Sequence, residues 1–67
     1  MKGKVIRFNA KRGFGFIMDE TGESVFFHYS ALMMKGFKTV RPNDEVTFEK
    51  VKGDKGYFAN NIKIVNG

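Results

Sequence analysis

The sequence has no cysteine and a single histidine, His28. The first absence excludes disulfides and thiolate metal sites, and the second excludes a metal centre built from several imidazoles. Apolar runs are short as well. The longest, Ala31-Leu32-Met33-Met34, is far too short to cross a bilayer. The basic residues at the start lead into no apolar segment of signal-peptide length. A soluble, cytoplasmic protein with no membrane partner is therefore expected. No stretch keeps a 3.6-residue apolar period over ten or more residues, so no substantial helix is expected. There is no repeat, linker or low-complexity tract. The acidic residues fall mostly in turns and no nucleophile–base pair is evident, so neither an enzyme nor a bound cofactor, metal or small-molecule substrate is expected.

What is present is basic and aromatic. The 67 residues carry a formal net charge of +5 and include eight phenylalanines and two tyrosines. The length suits one domain, residues 1–67. A chain this small buries only about 60% of the surface it exposes when unfolded. Lys2, Lys4, Arg7, Lys11 and Arg12 all precede the first acid, Asp19, while the other acids gather in the middle of the chain. Such sidedness points to a polyanionic partner.

Five strands are expected. The first is Lys4 to Asn9, and Asn9-Ala10-Lys11-Arg12-Gly13 has the chemistry of a turn. Phe14 to Asp19 and Ser24 to Tyr29 form a hairpin across Glu20-Thr21-Gly22-Glu23. Ser30 is placed to cap a single helical turn, Leu32 to plug one end of the core. A long connection then ends in a Pro-Asn-Asp turn. Glu45 to Val51 is the fourth strand, with Val46 and Phe48 inward. Tyr57 to Val65 is the fifth, with Ile62 and Ile64 on one face. Five short strands manage their edges best by closing, so the expected fold is all-β, a five-stranded antiparallel barrel of oligonucleotide-binding type.

Side chains alternate along a strand. Phe14 and Phe16 therefore share one face with each other and, across the hairpin, with Phe26 and His28. Ile17, Val25 and Phe27 share the opposite face. Phenylalanine in a strand is ordinarily core, yet so small a barrel cannot hide both faces, and an exposed apolar face needs a purpose. The glycines beside the rings, Gly13 and Gly15, read as leaving room for something to lie close to the backbone. Rings next to Lys11 and Arg12 suit a polyanion with stackable bases, which is a single-stranded nucleic acid. The rival reading is a small barrel that binds proline-rich peptides in an aromatic groove. It accounts for the rings but not the charge.

Over nearly its whole length the sequence resembles the bacterial cold-shock proteins. The resemblance is carried by Gly3-Lys4-Val5, Phe8-Asn9, Lys11 to Ile17, Phe26, His28, Ser30-Ala31-Leu32, Gly36-Phe37-Lys38-Thr39 and Asn61. Lys11 to Ile17 and Val25 to Tyr29 are similar to the two ribonucleoprotein motifs of that family. RNA-recognition-motif domains carry such a motif too, but they need two helices that this chain lacks. The resemblance implies a five-stranded barrel that binds single-stranded RNA and DNA with little sequence demand and acts as an RNA chaperone; a monomer is expected. Carried over by position, it implies a binding face of Arg7, Phe8, Arg12, Phe14, Phe16, Phe26, His28, Tyr29, Phe37 and Lys55, with Lys11 alongside. The chain departs from the family at Arg7, where tryptophan is usual, at Phe27, where a smaller valine is common, and at Tyr57-Phe58, where Pro-Gln is more usual.

Overall fold

Strict alternation in the second and third strands sets the architecture. In the computed structural model, which describes residues 1–33 and 40–65, β2 (Phe14–Asp19) pairs antiparallel with β3 (Ser24–His28), placing Phe14 opposite His28, Phe16 opposite Phe26 and Ile17 opposite Val25. Gly15, Ile17, Val25 and Phe27 turn inward and are buried. β1 (Lys2–Asn9) lies on the other side of β2, and β4 (Glu45–Gly53) pairs with β5 (Gly56–Ile64). The strands close into a barrel in the order β1-β2-β3-β5-β4, with β4 returning to β1. Closure between β3 and β5 is parallel, through Phe26 and Phe58, whereas the other pairings are antiparallel. This is the all-β, oligonucleotide-binding type of barrel.

The core is Val5, Ile17, Val25, Phe27, Ala31, Leu32, Val40, Val46, Phe48, Ala59 and Ile62. Leu32 does seal one end, bridging to Ile62. The short turn after β3 is a 3₁₀ turn at Tyr29–Ala31, but its cap is His28 rather than Ser30: Nδ1 of His28 accepts the Ser30 N–H at 3.2 Å. A β3 that ends at His28 leaves its extended backbone and side chain as the cap, and Ser30 falls inside the turn.

Two bulges break the alternation. In β1 the register slips between Val5 and Arg7, so Ile6 and Arg7 both face out and Phe8 turns half inward. Val5 at that point bonds the turn before β4, donating to the Asp44 carbonyl at 2.9 Å and accepting from Asn43 at 2.7 Å. In β5 the slip lies opposite Phe48, where Asn61 adopts φ 49° and its side chain bonds Glu49. The bulge lets Ala59 and Ile62, three apart, both point inward. Ile62 is buried, whereas Ile64, at the end of its strand, is exposed.

Candidate nucleic-acid interface

The outer face of β1, β2 and β3 carries the rings. Phe14 and Phe26 lie 5.8 Å apart between centroids, Phe16 and Phe26 5.9 Å at 71°. Phe26 is the central ring, exposed by 40%. Phe14 and Phe16 are half-buried, partly because guanidinium groups lie over them: Arg7 sits 5.2 Å from the Phe16 centroid and Arg12 5.7 Å from that of Phe14. Each cation–π contact holds a positive charge over a ring. The β1 bulge brings Arg7 there, since regular alternation would not place it and Ile6 on the same side. A cleft of about 500 Å³ opens along this side, lined by Arg7, Phe8, Arg12, Phe14 and Phe16 among others.

His28 and Tyr29 bound the platform at the far end of β3, with ring centroids 4.7 Å apart. Because Nδ1 of His28 accepts the Ser30 N–H, the neutral ring carries its hydrogen on Nε2, and a second contact joins Nδ1 to Ser30 Oγ at 2.9 Å. The ring is thus oriented before any ligand arrives. Phe8 belongs partly to the core: it stacks on buried Phe27 at 5.7 Å and 12°. Lys11 and Arg12 are exposed in the β1–β2 turn, where Asn9 Oδ1 accepts both of their backbone N–H groups at 3.1 Å. Lys55 is exposed in the β4–β5 turn. Phe37 lies outside the described residues.

The glycines do not open room for a ligand. A Cβ on Gly15 would lie 2.8 Å from Cζ of Phe27, and one on Gly13 2.9 Å from Cδ1 of Tyr29. The space beside the backbone is already filled by the protein's own rings. Gly13 also needs its φ of +79°, which disfavours a side chain there. Phe27, large where a smaller residue is usual, is accommodated by the missing side chain of Gly15.

Asp19 and Lys50 are the residues the sequence reading does not single out. Asp19 ends β2 with a buried carboxylate that accepts from the Thr21 hydroxyl at 2.6 Å, from the Thr21 and Glu23 N–H groups at 2.9 Å each, and from Lys50 Nζ at 2.8 Å. The Lys50 bond foremost, then the Thr21 hydroxyl, holds the carboxyl well below the usual carboxylate range, while the same partner raises Lys50. This hub ties the β2–β3 turn to β4 and so fixes the hairpin that bears the rings. The two partners are 31 residues apart, so no local signal marks them.

A closed five-stranded barrel with exposed rings and cations on one sheet defines an oligonucleotide-binding type of protein. Residues 1–65 match the family model described as the 'Cold-shock' DNA-binding domain, and the chain belongs to that family. It is 46% identical over 65 residues to a cold shock-like protein of Thermotoga maritima, covering 97% of this chain and 98% of that one. It is 52% identical over 60 residues to Cold shock-like protein CspD of Bacillus cereus, covering 90% and 91%. Among solved structures it resembles "drosophila Unr CSD456", with a TM-score of 0.75 at 24% identity, covering 97% of this chain and 26% of that one. Cold-shock domains bind nucleic acids and are not enzymes. No helix among the described residues is long and apolar enough to cross a membrane.

Proposed function

We propose that this protein binds single-stranded RNA and DNA across the outer face of β1–β3, with low sequence demand, and acts as an RNA chaperone in the cytoplasm. The observation that carries the reading is the outward platform of exposed Phe26 and half-buried Phe14 and Phe16 on a closed barrel, with Arg7 and Arg12 lying on its rings. Every base has a π-face, so stacking tolerates any sequence at roughly 1–3 kcal/mol per base. Phe14, Phe16, Phe26 and His28 stack on bases, with Tyr29 and Phe8 at the margins. Arg7, Lys11, Arg12 and Lys55 meet phosphates. Bases held splayed on the rings are withdrawn from pairing, so weak hairpins melt by mass action and no ATP is needed. Phe37 is proposed as a further stacking ring on sequence grounds alone. Among the described residues the five strands close on themselves, which supports a monomer.

The test is an anisotropy titration of a labelled oligothymidylate and of a duplex of the same length, each at two salt concentrations. Tight, salt-weakened binding of the single strand with much weaker binding of the duplex is expected. Equal affinity for the duplex overturns single-strand preference, and binding insensitive to salt favours a peptide-binding barrel instead.

A further inference from the structure

The aromatic surface continues past β3. Phe58 of β5 stands in register with Phe26 across the parallel pair, and it too is exposed, by 37%. The next residue on each strand, Ala59 and Phe27, is buried, so Phe26 and Phe58 face outward together. Phe58 is not part of the core. Its ring leans over Gly53, where a Cβ would lie 3.1 Å from Cε1. Gly53 is on β4, on the opposite side of β5 from β3, so the ring reaches toward β4 rather than being covered by the core. Val51, opposite Phe58 on β4, adds exposed apolar surface. The turn beyond carries exposed Lys55 beside Asp54, whereas Lys52, paired with Tyr57, alternates to the other face.

We infer that Phe58 is an added stacking position, so that a single strand leaving Phe26 crosses β5 and reaches the β4–β5 hairpin, where Lys55 meets its phosphates. The ligand is the same single-stranded nucleic acid, but longer than the rings of β2 and β3 hold alone. This inference rests on the proposed function of the platform. It assigns a role to two features that the core does not use, the outward ring and the close approach at Gly53.

Oligothymidylates of about four to nine nucleotides, within the span one such barrel covers, distinguish the two claims. The parent should gain affinity up to a length at which Phe58→Gln stops gaining. At the longer lengths Phe58→Gln should bind about tenfold more weakly, and at the shortest lengths equally. Phe58→Leu, which keeps an apolar side chain over Gly53 but loses the flat face, should behave the same way with an unchanged melting temperature. Phe16→Ala should lose affinity at every length. Parent-like binding by both Phe58 variants at all lengths overturns the inference, and so does a loss that is uniform with length. If Phe16→Ala binds like the parent, the platform reading itself falls, and the added position falls with it.

Discussion

Phe26 and Phe27 are neighbours in one strand, yet one ring is exposed by 40% and the other is fully buried. The comparison extends to the whole hairpin. Its inner face, Gly15, Ile17, Val25 and Phe27, is packed until a single methyl on Gly15 would collide with Phe27 and the Arg7 carbonyl. Its outer face carries three equally apolar rings, Phe14, Phe16 and Phe26, beside His28, but leaves Phe26 exposed and covers Phe16 and Phe14 only in part, with guanidiniums. Hydrophobicity therefore does not separate the core from the proposed binding face in this barrel. Pleat parity does, together with what lies over each ring: another core side chain, or an arginine that a nucleic acid can share.

The largest effect expected from breaking this contrast is on the inner side. Phe27→Ala removes a buried ring stacked on Phe8 and should cost about 3–5 kcal/mol of stability, much of what a domain this small has. Phe26→Ala should cost much less stability and about 1–3 kcal/mol of oligonucleotide binding. Thermal melts and anisotropy titrations on both variants check the pair. If Phe26→Ala melts as early as Phe27→Ala, the outer face is core in disguise and the contrast is false.

The next effect is confined to acid. Asp19 has its carboxyl lowered by Lys50 and Thr21, so its contribution to stability is fully present above the ordinary carboxylate value of about 3.9. It is lost progressively as pH falls below that value toward the lowered one, because the unfolded chain then takes up a proton that the folded carboxylate resists. Lys50 is raised, so its share is present at neutral pH and is lost only above the ordinary lysine range. Asp19→Asn should be less stable at neutral pH and should lose less than the parent on acidification below about pH 4. Melting temperatures at a series of pH values decide it. Parallel acid losses in the two proteins would show that other carboxylates govern acid unfolding.

The hairpin and its ring face were legible because two apolar faces on strands joined by a short turn leave few other arrangements. Val46, Phe48 and Leu32 were legible for the same reason of parity and position. The bulges were not, because one extra residue reverses parity and carries no composition signal of its own. That is why Phe8 stands half in the core, and why Ala59 and Ile62, three apart, both face inward. Gly13 and Gly15 were placed correctly but explained wrongly: sequence shows that space is present, not which ring fills it. The Asp19–Lys50 tie depends on closure of the barrel, which brings together residues that the chain keeps far apart. The alignment of Phe58 with Phe26 was not legible for a related reason, since it exists only across the parallel seam.

The smallest effect concerns Arg7, which belongs to the outer face only because of a bulge. Its guanidinium rests on Phe16 at 5.2 Å, so on the proposed reading it offers a nucleic acid a flat cation in place of the ring it covers. Arg7→Ala removes the charge and uncovers Phe16. Arg7→Trp removes the charge but supplies a larger π-face. Both should show a shallower fall of log affinity with log salt, by about 0.7 when one phosphate of a single strand is no longer neutralised. Arg7→Trp should bind an oligothymidylate at least as tightly as the parent at moderate salt, and Arg7→Ala more weakly at every salt concentration. Titrations of the three proteins at four salt concentrations give the slopes. Coincident slopes would mean that Arg7 meets no phosphate and serves only to cover Phe16. Parent-like affinity in Arg7→Ala would mean that the bulge carries Arg7 off the path of the strand, confining the platform to β2 and β3.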